Sequence, residues 1–97
     1  MKLSKGVVSR SEAVKMAPDY VSYADGNFDK FGAIWKAFQG LKVGQKVLTK
    51  SEDVFVIAKV SSIRPLPYDA DGPCVRVSNG EYSWRVDGCD YAYPIAA

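Results

Sequence analysis

The sequence predicts an α+β fold, in which two N-terminal helices are followed by a small antiparallel β-barrel of five strands. Apolar residues recur with helical spacing before Leu41 and alternate with period two after it. Short alternating segments separated by turn residues fill the second half, and five short antiparallel strands usually curl into a barrel. The 97 residues are expected to form one domain, with a helical extension at 1–40 and the barrel at 41–97.

The first helix is predicted to begin at Ser9 and to end near Ala17. Ser9 and Glu12 have the spacing of a capping box, in which each side chain accepts a hydrogen bond from a backbone N–H group. Pro18 disfavours helical geometry at the preceding residue and is expected to end the helix. The segment 19–27, which contains a glycine and two tyrosines, is predicted to be a connector.

The second helix is predicted over residues 28–39, with Asn27 as its cap and Gly40 just after its end. Four aromatic residues recur along it at intervals of three or four: Phe28, Phe31, Trp35 and Phe38. Such a stripe gives the helix one strongly apolar side. We expect it to pack in the core, although a stacking surface for a ligand is the alternative.

The strands are predicted at 46–50 and 54–63, in a hairpin at 74–86, and at 91–95. Pro94 lacks a backbone N–H group, so the last strand is expected at a sheet edge.

The hairpin prediction depends on Asn79-Gly80, which is the strongest short signal for a type I′ turn. A two-residue loop here gives two apolar cross-strand pairs, Val77–Tyr82 and Val75–Trp84. Both aromatic side chains are then expected to face the core.

Charge is distributed unevenly along the chain. The total is +2, but residues 1–50 have a net charge of +5 and residues 51–97 have −3. A uniformly basic surface that coats DNA is therefore excluded. Between residues 36 and 50 there are four lysines and no acidic residue: Lys36, Lys42, Lys46 and Lys50. These lysines are the candidate contacts to nucleic-acid phosphates, although most such runs are only solvated surface.

Catalytic and metal chemistry has little support. The chain contains no histidine, so a Cys–His nucleophile is excluded and a zinc site would need other ligands. Cys74 and Cys89 are expected to be incidental thiols. Asp69 and Asp71 resemble part of a calcium loop that lacks its other ligands. We expect no enzyme, cofactor or metal; a catalytic or metal role for Asp69, Asp71 and Cys89 is the weakest alternative.

A cytoplasmic location is expected. Only Val7 and Val8 follow the polar first residues, which is far short of the apolar region of a signal peptide, and no apolar run reaches membrane length. Two cysteines are too few for a disulfide framework, which suits a reducing compartment.

The segment 43–97 resembles small SH3-like barrels of bacteriophages and mobile elements. The residues 43–47, VGQKV, resemble the entry to the first strand of these barrels, and 84–95, WRVDGCDYAYPI, resembles their ending. Tyr91 stands where leucine is usual and Tyr93 where an acid is common. The resemblance implies an SH3-like fold and a non-catalytic module that binds protein or nucleic acid.

The leading functional prediction is a protein-interaction module. The resemblance implies a phage accessory protein that binds, and in one use inhibits, a host factor. The predicted contact surface comprises the loop 64–73 with residues of the last strand, and its candidates are Tyr68, Asp69, Asp71, Tyr91 and Tyr93. The alternative is a nucleic-acid-binding barrel that uses the lysines of 36–50. We expect that binding to be weak, because this stretch contains no arginine to read guanine.

Overall fold

The structure is a computed structural model that describes residues 4–51, 53–64, 74–86 and 91–95. It confirms the α+β class. The described residues form three α-helices and a six-stranded antiparallel sheet. The helices are α1 (Arg10–Met16), α2 (Pro18–Ala24) and α3 (Phe31–Gln39), and a 3-10 turn, Phe28–Lys30, precedes α3.

The N-terminal region contains one helix more than predicted. Ser9 caps α1 as expected, because its Oγ accepts a hydrogen bond from the Glu12 N–H at 3.3 Å. The predicted connector over 19–27 is wrong, because Pro18–Ala24 forms α2. Proline ends the preceding helix, but its fixed φ and missing N–H group also suit the first position of a new one.

The second predicted helix is present over the expected residues, although its first turn is a 3-10 turn. Asn27 Oδ1 accepts a hydrogen bond from the Asp29 N–H at 3.3 Å, so the predicted cap is confirmed. The α-helix itself begins at Phe31 and ends at Gln39, directly before Gly40.

The strands are β1 (Val7–Val8), β2 (Lys46–Ser51), β3 (Val54–Arg64), β4 (Cys74–Ser78), β5 (Ser83–Val86) and β6 (Tyr93–Pro94). Their order is β5-β4-β3-β2-β6, and β1 pairs with β3. Pro94 therefore lies on an edge strand, as predicted. Within the described ranges β5 and β6 do not pair with each other, so the sheet is open there.

Strand β1 was not predicted, since two residues carry no detectable alternation. It depends on Gly6, which has a φ of +77° and whose carbonyl accepts a hydrogen bond from the Ile57 N–H at 2.8 Å. A Cβ atom on Gly6 would lie 2.3 Å from the Ile57 carbonyl oxygen. Only glycine permits this close approach of the two backbones.

The hairpin turn lies where predicted, but the predicted turn type and the predicted strand register are wrong. The strands pair Ser78 with Ser83, which leaves a four-residue loop in which only Gly80 has a positive φ. The Asn79 side chain closes the loop, because its Oδ1 accepts hydrogen bonds from the N–H groups of the two residues after Gly80 at 2.9 and 2.7 Å. Tyr82 is consequently in the loop and 41% exposed rather than in the core.

Two apolar clusters hold the fold together, and strand β2 contributes to both. The first cluster comprises Phe38, Leu41, Val47, Ala58, Val60, Val75, Val77, Val86 and Ala92, with Trp84 half-buried against it. The second comprises Ala13, Ala17, Tyr20, Val21, Tyr23, Ile34, Leu48 and Phe55. Because successive strand residues point to opposite faces, Val47 and Leu48 enter different clusters. The helices α1 and α2 thus pack onto the sheet through the second cluster.

Candidate binding surfaces

Tyr91 lies between the two clusters and contacts both. Its ring centroid lies 5.0–6.1 Å from those of four other aromatic residues: Tyr23, Phe31, Trp35 and Phe38. Its backbone has a φ of +47°, which is uncommon for a residue with a side chain. Two hydroxyl groups donate to its carbonyl oxygen, Thr49 Oγ1 at 2.7 Å and the Tyr20 hydroxyl at 3.3 Å, and they hold this conformation in place.

Three aromatic residues of the helical segment reach the surface, and we call them the aromatic patch: Phe28, Phe31 and Trp35. Phe28 is 73% exposed, Phe31 is 41% exposed, and Trp35 is half-buried. The Phe31 and Trp35 rings stack with centroids 6.2 Å apart, and Trp35 stacks in turn on buried Phe38 at 6.3 Å. The patch is therefore the exposed end of a series of rings that begins in the core.

The predicted core role of the aromatic stripe is right for its C-terminal half and wrong for its N-terminal half. Phe38 is buried in the first cluster and Trp35 packs against that cluster. Phe28 and Phe31 remain exposed because they lie at the start of the helical segment, beyond the sheet residues that cover Phe38. The sequence spacing shows that these residues share a side of the helix, but it does not show how far the sheet extends along it.

The residues of the predicted contact surface have different placements. Tyr68, Asp69 and Asp71 lie outside the described residues. Tyr93 is half-buried, and its ring lies 6.5 Å from that of Tyr20, so it packs inward like Tyr91. A partner contact through these two tyrosines stays a prediction, and their described contacts are structural. Cys89 also lies outside the described residues.

The four lysines of the predicted basic stretch lie on three different parts of the fold. Lys36 is exposed on α3, Lys42 is exposed in the loop after it, and Lys46 and Lys50 are half-buried on β2. The two strand lysines share a face as predicted, but fully buried Leu48 separates them. Lys46 instead lies opposite Lys59 of the neighbouring strand. Cations that are distant in the sequence thus meet across strands, a grouping that the sequence run does not reveal.

Two acidic side chains have lowered pKa values because of specific hydrogen bonds. The Arg10 guanidinium donates to Asp25, and this bond is the main cause of the lowered pKa of the Asp25 carboxyl. At the hairpin tip the Ser4 hydroxyl and N–H donate to Glu81, which lowers the pKa of that carboxyl. Both carboxylates are thus already bound to partners on the N-terminal segment or the helices.

Among the described helices none is long and apolar enough to cross a membrane. Comparison of the chain with protein-family models, with curated proteins and with solved structures finds no match.

Proposed function

We propose that this protein is a non-enzymatic binding module whose principal ligand is a protein, bound through the aromatic patch. The observation that carries the proposal is the exposure of Phe28 and Phe31 on a rigid base of stacked rings. Large aromatic side chains are enriched at the centres of protein interfaces, where they bury much area at low cost in side-chain entropy.

The support beneath the patch makes it suited to binding. Trp35 stacks between Phe31 and Phe38, while Phe28 lies edge-on to Tyr23 with ring centroids 6.1 Å apart. Rings that are already ordered lose little conformational freedom when a partner covers them. An apolar surface of this kind would also retain its partner at high salt, because its contacts do not depend on charge.

We also propose that the sheet belongs to an SH3-like barrel. Four strands form a meander, β2 to β5, and the last strand returns to pair with the first of them, β2. This connectivity is what a small closed barrel requires, although the described pairings leave it open. The resemblance to barrels of bacteriophages supports a bacterial host protein as the partner, with inhibition of a host factor as one consequence.

Affinity capture from a nuclease-treated bacterial lysate tests this function. Wild-type protein and the double variant Phe28→Ser/Phe31→Ser are immobilised and washed at about 1 M salt, where electrostatic screening extends only about 3 Å. We expect the wild type to retain a specific protein that the variant loses. Phe28 and Phe31 are both exposed, but Phe31 also contacts Trp35 and Tyr91. Circular dichroism and a urea midpoint therefore check that the variant remains folded.

Val43→Ser is the matched control, because Val43 is an exposed apolar residue, 64% accessible, that lies outside the patch. It should capture the same protein as the wild type. Equal capture by the patch variant would contradict the proposal. If analytical ultracentrifugation shows that the wild type self-associates through the patch, the partner is a second copy of this chain and not a different protein.

A further inference from the structure

A second surface lies on the sheet face that points away from the first cluster. Strand alternation puts Lys59 between buried Ala58 and Val60, and Arg76 between buried Val75 and Val77. Their side chains therefore project from the opposite face, and both are exposed. We define the basic face as the five cationic residues that this alternation and the strand register bring together: Lys46, Lys59, Arg64, Arg76 and Arg85.

Two pairs of like charges lie directly opposite each other on this face. Lys46 pairs with Lys59 between β2 and β3, and Arg76 pairs with Arg85 between β4 and β5. Directly opposed like charges destabilise a sheet, since their Cβ atoms are only about 5 Å apart. The Lys46–Lys59 pair therefore costs stability that the fold does not require, and a polyanionic ligand would offset it.

Serine residues beside the basic face supply further hydrogen-bond donors. Ser62, Ser78 and Ser83 occupy positions on the same face between the cations. The Arg76 guanidinium donates to the Ser83 carbonyl at 3.3 Å, which holds it across β5. A groove of about 330 Å³ lies between Lys46 and Lys59 on one side and the hairpin residues Ser78 to Gly80 on the other.

None of the described residues on the basic face is acidic. The described ion pairs, Arg10–Asp25 and Lys30–Asp19, lie on the helices. The carboxylate of Glu81, at the hairpin tip, is bound by Ser4. Within the described ranges, then, Lys46, Lys59, Arg64 and Arg76 make no ion pair, and their charge is open to an external anion.

We infer that the basic face binds the phosphate backbone of nucleic acid without regard to sequence. The cations are dispersed over four adjacent strands, and the two on β3, Lys59 and Arg64, are five residues or about 15 Å apart. This spread suits a chain of separate phosphates rather than one small anion. No aromatic side chain lies between these cations on the described parts of β2 to β5, because Phe55 and Tyr93 of the same sheet face pack in the second cluster. The basic face thus offers no ring on which a base could stack between its cations. The basic face is thus distinct from the aromatic patch. This inference does not depend on the function proposed for the patch.

Fluorescence anisotropy with a labelled strand of about 20 thymidines, longer than one site on a small barrel, tests the inference. With four phosphate contacts, affinity for the strand should fall roughly 50-fold between ~50 and ~200 mM salt. The double variant Lys59→Glu/Arg76→Glu should bind at least about 10-fold more weakly at low salt. The slope of its log binding constant against log salt concentration should be smaller in magnitude by about 1.4. An adenosine strand of equal length should bind as the thymidine strand does.

The matched control is Lys36→Glu/Lys42→Glu, which makes the same change in net charge on exposed lysines outside the basic face. It should retain most of the wild-type affinity. Equal losses in the two variants would show that only net charge matters and would overturn the site. Binding to vesicles that contain phosphatidylserine, with none to either strand, would overturn nucleic acid as the ligand. All variants are compared by circular dichroism to confirm that they fold.

Discussion

The aromatic patch and the basic face differ in how the fold builds them. The patch comes from one continuous helical segment, 28–35, and its rings rest on the core through Phe38. The basic face takes its five residues from four strands, and Lys59 and Arg76 each lie between buried neighbours. One surface is therefore coupled to the stability of the core, whereas the other depends only on strand register. Substitutions should separate the two.

The largest expected effect is on the support of the patch. Phe38→Ala should lower the free energy of unfolding by about 3–5 kcal/mol, because it removes a fully buried ring and leaves a cavity. Phe28→Ala, on the same side of the helix but exposed, should change it by no more than about 0.5 kcal/mol. Urea denaturation measures both. Similar losses in the two variants would show that Phe28 is part of the core.

Next in size is the hydroxyl of Tyr20, a fully buried residue. It accepts a hydrogen bond from the Lys50 N–H at 2.8 Å and donates to the Tyr91 carbonyl. Tyr20→Phe should cost about 1–3 kcal/mol, because the Lys50 N–H loses its acceptor. Tyr82→Phe, which alters an exposed hydroxyl, is the control and should be neutral in the same denaturation assay. An unchanged urea midpoint for Tyr20→Phe would show that the hydrogen bonds of the Tyr20 hydroxyl do not stabilise the conformation of Tyr91.

The hairpin beneath the basic face should be sensitive to Gly80, whose φ is +90°. Gly80→Val should destabilise by about 1–2 kcal/mol through backbone strain alone, since no atom would contact the new Cβ. Gly32→Ala is the contrasting change, because it lies in α3 with ordinary φ and should stabilise by about 0.5–1 kcal/mol. If Gly80→Val melted at the wild-type temperature, the described loop conformation would be wrong.

The smallest expected effect has the opposite sign. Lys59→Thr should stabilise the free protein by a few tenths of a kcal/mol, because it relieves the charge opposed to Lys46 and adds a β-branched residue to a strand. The gain should shrink as salt screens the repulsion. Thermal melts at low and high salt measure it, and a destabilised variant would contradict the like-charge interpretation.

Part of this structure could be predicted from the sequence because local rules determine it. The caps Ser9 and Asn27 and the edge position of Pro94 follow from side-chain chemistry. The register of the hairpin could not be predicted, because a shift of two residues keeps Val75, Val77 and Trp84 on the same face. Alternation therefore gave the correct face for these three residues but the wrong pairs, and it wrongly placed Tyr82 in the core.

The binding surfaces were harder to predict because they depend on tertiary arrangement. The lysines of 36–50 are close in sequence but divide between α3, the loop after it and β2. Lys59, Arg76 and Arg85 are isolated in sequence, and only strand register brings them together. The same holds for Tyr91, whose contacts join residues from α2, α3 and β2.

The central claim, that the two surfaces are separate binding sites, is tested most directly by NMR. Amide chemical shifts of the labelled protein are followed while the thymidine strand is added at low salt. We predict shifts at Lys59, Arg76 and their neighbours on β3 to β5, reversed by raising the salt, with none at Phe28 or Phe31. Shifts concentrated at Phe28 and Phe31, or spread equally over both surfaces, would contradict the account.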